Sequence, residues 1–258
     1  MIVDIHAHLP RPFRHVESVD ELIPTVAEML EMGQRAGIDK QVILALGTSR
    51  TSNEVLKELA DRFPDQIEIF MGSLCTDPDC PATLEKCVKE YGFKGVKIHQ
   101  KLPWFPLTGL LACHSLFRKA GELDVPVLTH SWHQEEGLVE ILPKMHTGYF
   151  PMVILEELGK RYPETTFIFA HAGGMWVKAF QAAKPYPNLC FDMSGFDPER
   201  GIVEKAVEVL GAERVFFGSD VPGRSYVAQL AKVRYADISE RDKKLILGEN
   251  AARLLHLR

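Results

Sequence analysis

MIVDIHAH, residues 1–8, decides how this chain is read. Ile2, Val3 and Ile5 mark a buried strand, and Asp4, His6 and His8 interrupt it. Histidine and aspartate are poor strand formers, and a buried carboxylate is costly without partners. Residues i and i+2 of a strand share a face, so His6 and His8 point the same way. At the usual rise they stand roughly 6–7 Å apart along the strand. Two imidazoles so placed can converge on one ion at about 2.0–2.1 Å each.

Seven more β-rich runs follow: KQVILALG (40–47), IEIFMGSL (67–74), GFKGVKIHQ (92–100), VPVLTHS (125–131), TFIFAHAG (166–173), LCFDMSG (189–195) and RVFFGSD (214–220). Segments with helical signals separate them. SVDELIPTVAEMLEMGQRAG pairs Ser18 with Glu21 as a capping box and ends at a glycine. SERDKKLILGENAARLLHL closes the chain, with Ser239 as its cap and Gly248 as a break. The runs are almost continuously apolar, as strands covered on both faces are. Strand and helix alternate eight times, which predicts a parallel sheet with right-handed crossovers, closed into one (β/α)8 barrel over residues 1–258. An open doubly wound sheet would call for a GxGxxG or GxxxxGK[ST] loop, and neither is present.

The net charge of −5 argues against nucleic acid or an anionic membrane as partner. No apolar run reaches the length of a membrane span, and the polar residues of the first strand break any signal-peptide core. Five scattered cysteines read as ordinary thiols of a cytoplasmic protein.

In barrels of this kind the chemistry sits where strands end. Here those ends carry His6 and His8 (first strand), Lys97 and His99 (fourth), His130 (fifth), His171 (sixth) and Asp220 (eighth). His6, His8, His130 and Asp220 supply three imidazoles and one carboxylate around an open position, which is the donor set of a catalytic divalent metal. Zinc is the first expectation; manganese, iron and cobalt also suit these donors. His15, His114, His146 and His256 are read as packing or surface residues. Asp4 is read as a support for the first-strand loop or for a ligand imidazole.

DIHAH, GVKIH, PVLTH, FAHAGG, FGSDVP and ILGENAARLL together resemble the amidohydrolase superfamily, in the branch of aminocarboxymuconate-semialdehyde decarboxylase and related metal-dependent hydrolases. The resemblance runs from residue 2 to about 255. It implies a (β/α)8 barrel with His6, His8, His130 and Asp220 as metal ligands. It gives His171 the role of polarising substrate or orienting water, and makes Asn250 structural. Related enzymes bridge two metals with a carboxylated lysine or a glutamate on the fourth strand. Here one metal is expected, with Lys97 or His99 meeting a substrate carboxylate or oxygen. The missing glutamate speaks against TatD-type nucleases.

The first functional expectation is hydrolysis of a small amide, lactone or ester by metal-activated water, with Asp220 moving the proton and His171 stabilising the oxyanion. The alternative is decarboxylation of an unsaturated or aromatic acid, anchored by Arg50 or, after it, Arg11, Arg14 and Arg224. Trp104, Phe105, Trp132, Trp176 and Phe196 are candidate pocket walls, with Trp104 and Trp132 foremost. A non-catalytic barrel is disfavoured, because every ligand position holds a competent residue. The resemblance implies a homodimer.

Overall fold

The computed structural model describes residues 1–9, 16–45, 51–73, 77–98, 113–131, 152–174, 176–195 and 200–257. Eight strands run in chain order: β1 (Val3–Ala7), β2 (Lys40–Leu44), β3 (Ile67–Ser73), β4 (Gly95–Ile98), β5 (Val127–Thr129), β6 (Phe167–Phe169), β7 (Leu189–Asp192) and β8 (Val215–Phe216). Each pairs in parallel with the next. The ring closes between β8 and β1: Ile5 N donates to Phe217 O (3.1 Å), His8 N to Val221 O (2.8 Å), and Asp220 N to His6 O (2.7 Å). The result is the expected (β/α)8 barrel.

The helices between the strands are α1 (Ile23–Ala36), α2 (Asn53–Arg62), α3 (Cys80–Tyr91), α4 (His114–Glu122), α5 (Met152–Arg161), α6 (Trp176–Ala183) and α7 (Ile202–Leu210). After β8 come α8 (Tyr226–Arg234), α9 (Glu240–Lys244) and α10 (Asn250–Leu254). The local signals act as written. Ser18 and Glu21 form the capping box, and α1 ends at Gly37, whose φ of 91° is the left-handed conformation a helix stop needs.

Two apolar clusters follow from strand alternation. The larger lies between strands and helices. The smaller fills the barrel lumen with Val3, Ile5, Val42, Leu44, Phe70, Leu128, Ile168, Ala170, Cys190 and Phe216. Ala251 and Leu255 join the lumen cluster, so the terminal helix stoppers one end of the barrel. Gly248 does not break that helix. It lies in a π-helical turn, Leu245–Glu249, where a Cβ would stand 2.2 Å from Met1 O. Only glycine lets the chain start pass this closely.

Three details depart from the expectations. Strand six stops at Phe169, and His171–Gly173 form a tight 3-10 turn. Strand one has a bulge: Asp4 pairs with Gln41 but Ala7 with Ile43, leaving one extra residue on β1. Cys113 is disulfide-bonded, so the five cysteines are not all free thiols. Among the described residues no helix is long and apolar enough to cross a membrane.

Candidate active site

Val3 and Ile5 face the lumen core by alternation; the bulge in β1 then puts Ala7 in the outer cluster and leaves His6 facing the closed seam with β8. Bulges next to active sites commonly re-aim a side chain in this way. Asp220 follows β8 in a left-handed conformation, φ 59°. Asp4 holds the adjoining residue: its carboxylate accepts from Ser219 N (2.8 Å), Ser219 Oγ (2.5 Å) and His6 N (3.1 Å). Val221 N in turn donates to Ser219 Oγ (3.1 Å). Gly218 makes the approach possible, since a Cβ there would stand 2.8 Å from His6 Cβ.

Three acceptors meet at this seam. His6 Nε2 lies 3.2 Å from His8 Nε2, and Asp220 Oδ1 lies 3.6 Å and 3.5 Å from the two. The opposite ring nitrogens set the tautomers. His6 Nδ1 donates to Asp192 Oδ2 (2.8 Å), and His8 Nδ1 donates to the Leu44 carbonyl (3.1 Å). With its proton on Nδ1, each ring presents a bare Nε2 lone pair. Two lone pairs and a carboxylate oxygen repel one another unless a cation stands among them, so these residues fit a divalent ion.

Behind them runs a second layer of hydrogen bonds from β7. Asp192 Oδ1 accepts from Ser194 N (2.9 Å), His171 N (3.2 Å) and Ser194 Oγ. Ser194 Oγ also stands 3.0 Å from His6 Nδ1 and 3.1 Å from His171 Nδ1. His171 Nε2 faces His130 Nδ1 at 3.1 Å. Lys232 of α8 secures the turn: its ammonium donates to Gly195 O (2.7 Å) and to Met193 O, the carbonyls flanking Ser194.

Burial holds the His6 and His171 imidazoles well below the usual histidine value, as neutral ligands and acceptors require. Burial would raise Asp220, but the approach of His8 and the nearby His6 and Lys97 keep it below the usual aspartate value. Asp4 is pushed up to about 7 by burial, against the pull of its donors. Lys97 is fully buried and brought down to about 8 by that burial, with Asp192 and Asp220 pulling the other way.

His6, His8 and Asp220 are thus brought together directly. His130 joins through His171, their ring centroids 4.8 Å apart. Lys97 points into the same lumen. His99, Arg50, Trp104 and Trp132 lie outside the described residues, as do Arg11, Arg14, Phe105 and Phe196. Trp176 packs on Phe180 of its own helix (ring centroids 6.0 Å). Sequence reasoning missed Asp192, Ser194, Ser219 and Lys232. The signal for the first two was present: they stand two apart at the end of an otherwise apolar strand, the same spacing that singled out His6 and His8.

A parallel barrel whose strand ends gather imidazoles and a carboxylate that could hold a metal ion defines the class: a (β/α)8 barrel with a candidate divalent-metal site. The amidohydrolase family model matches residues 3–257, and the chain belongs to that family. Among curated proteins it is 25% identical over 254 residues to gamma-resorcylate decarboxylase of Polaromonas sp., covering 81% of this chain and 76% of that one. Its fold matches 5-carboxyvanillate decarboxylase from Sphingomonas paucimobilis with a TM-score of 0.75 at 14% identity, over 100% and 99% of the two chains. It also matches a dihydroxybenzoic acid decarboxylase from Polaromonas sp. JS666, solved with bound manganese and the inhibitor 2-nitroresorcinol (TM-score 0.73, 18% identity, 99% and 97% covered). The expectation of amide, lactone or ester hydrolysis is corrected here. The curated relatives are decarboxylases, and the alternative reading replaces it. The error has a physical source: an open-sided metal site serves both reactions, and its donor set alone does not choose.

Proposed function

We propose that this chain is a divalent-metal-dependent decarboxylase of a small hydroxylated aromatic or unsaturated carboxylic acid. The observation that carries the reading is the meeting of His6 Nε2, His8 Nε2 and Asp220 Oδ1, in a chain whose curated relatives are decarboxylases. His6, His8, Asp220 and His130 would hold the ion. Manganese joins zinc as the first candidates, because both accept imidazole and carboxylate donors and a structural neighbour holds manganese. Once bound, the ion supplies an electrophile that binds and orients the substrate's oxygens.

The rest is the work of this chain's residues. Decarboxylation exchanges a carbon–carboxylate bond for a carbon–hydrogen bond: the carbon keeps the electron pair and takes a proton, and carbon dioxide leaves neutral. The reaction needs one acid and no oxidant. Asp220 is suited to deliver that proton from Oδ2, since Oδ1 faces the histidines and 22% of its side chain is open. Ionised at rest, it first takes a proton from the substrate's hydroxyl or from solvent. His171 positions His130 through the Nε2–Nδ1 contact, and Asp192 with Ser194 fixes the rings of His6 and His171. The apolar lumen below keeps bulk water from the reacting carbon. By family resemblance the proposal includes a homodimer.

The test is a substrate panel with manganese- or zinc-supplied protein. It should include 2,6-dihydroxybenzoate, 5-carboxyvanillate and unsaturated acids, with lactones, esters and amides as controls. Carbon dioxide release, with deuterium from heavy water at the vacated carbon, is expected from at least one acid. Turnover confined to the lactone, ester or amide controls would overturn the reading.

A further inference from the structure

We propose that Lys97 Nζ is the group that receives the substrate's carboxylate inside the barrel. The inference rests on the reading of the substrate as a carboxylic acid, and it starts from an imbalance. Every other buried charge around the site has hydrogen-bond partners. Asp4 has Ser219 and His6; Asp192 has His6, His171 and Ser194; Lys232 has two carbonyls. Lys97 is equally buried, yet its ammonium has no acceptor among the described residues. Three donors stripped of water and left unpaired are expensive, and a protein retains such a group where a ligand completes it.

The position fits. Lys97 is on the lumen face of β4, between Gly72 of β3, which has no side chain, and the lumen residue Leu128 of β5. Below it the lumen is filled: the Phe70 ring lies 2.8 Å from where a Gly95 Cβ would stand. The strand ends lie on its other side. There Lys97 lies in the electrostatic field of Asp192, Asp220, His6 and His171. The neutral substrates first expected for this site, amides and esters, would leave the ammonium without an anion; a carboxylate supplies two acceptor oxygens. A cation on the carboxylate stabilises the bound acid and not the departing carbon dioxide. The contact therefore strengthens binding and does not raise kcat.

The experiment is titration calorimetry of metal-loaded wild type, Lys97→Met and Lys97→Arg with benzoate and with benzamide, its neutral counterpart. Metal content is measured on the same samples. Wild type is expected to bind benzoate in preference to benzamide. Lys97→Met should lose tenfold or more in benzoate affinity, as expected for one charge-assisted contact (~1.4 kcal/mol per tenfold). Its benzamide affinity and metal stoichiometry should stay unchanged, and Lys97→Arg should recover part of the loss. Should Lys97→Met fail to fold, Lys97→Arg decides by its benzoate affinity: weaker than wild type supports the contact, equal overturns it. The proposal is also overturned by wild type that does not bind benzoate, by Lys97→Met that binds it as wild type does, or by metal lost with the lysine. Wild type that binds benzoate through Lys97 but releases no carbon dioxide from any acid would remove the decarboxylase reading and leave this one standing.

Discussion

Ser219 Oγ donates to Asp4 Oδ2 at 2.5 Å across 215 residues of chain, and this bond fixes the residue next to Asp220. A left-handed aspartate is held by its surroundings, and Asp4 supplies them from the opposite end of the sequence. Replacing Asp4 with alanine strips Ser219 N, Ser219 Oγ and His6 N of their acceptor in a dry site. Leaving buried donors unsatisfied costs about 1–3 kcal/mol each. Asp4→Ala is therefore expected to lower Tm measurably and to weaken metal binding, with Asp4→Asn milder because one oxygen remains. Unaltered Tm and metal affinity in Asp4→Ala would show that the clamp does not matter.

Asp192 governs the tautomer of His6. With Asp192→Asn, the His6 Nδ1 proton loses its charged acceptor and the ring loses its preference for a bare Nε2. Outer partners of this kind are typically worth about 10–100-fold in metal affinity or activity. A metal titration of Asp192→Asn should show that weakening in a folded barrel. A variant that titrates like wild type would contradict the assignment.

Asp220→Asn keeps the volume and removes both the negative charge and the proton carrier. Turnover should fall by about 10²–10⁴, the range general acid–base catalysis contributes, with far-ultraviolet circular dichroism unchanged. Turnover within a few-fold of wild type would take Asp220 out of the proton transfer.

The pH dependence of the metal-free protein follows from opposing groups. His6 and His171 stay neutral when folded and titrate near 6.5 when unfolded, so below about 6.5 the unfolded chain takes up more protons and stability falls. Asp4, raised to about 7, acts oppositely: the folded state takes up the extra proton as pH falls from 7 toward 4. Each group changes stability by up to about 1.4 kcal/mol per pH unit, so two losses outweigh one gain between pH 6 and 5. Chelated protein should therefore melt at a lower temperature at pH 5 than at pH 6.5. The Asp4→Asn variant, lacking the offset, should fall more steeply. A Tm that rises on acidification would reverse the signs assigned here.

Much of this was legible in the sequence. Eight apolar runs separated by capped helices required a closed parallel sheet, and Ser18, Gly37 and Ser239 punctuate the helices where they were read to. The polar strand ends pointed to His6, His8, Lys97, His130, His171 and Asp220. What stayed hidden depends on chain closure or on small backbone irregularities. The β1 bulge leaves no residue-type signature in DIHAH. Lys232 sits in a helix, where lysine ordinarily means solvent, and only the folded turn reveals the carbonyls it binds. Gly248 read as a breaker because its neighbour, Met1, is the most distant part of the chain. The reaction itself was not legible, because the donors for hydrolysis and for decarboxylation are the same.

The most direct test of the central claim joins metal to reaction. Protein stripped by a chelator is titrated with manganese or zinc while carbon dioxide release from a responsive acid is followed. The account predicts no release from stripped protein, recovery that saturates near one equivalent, and none in His8→Ala. Full release from the stripped protein, or recovery in His8→Ala equal to wild type, would contradict it.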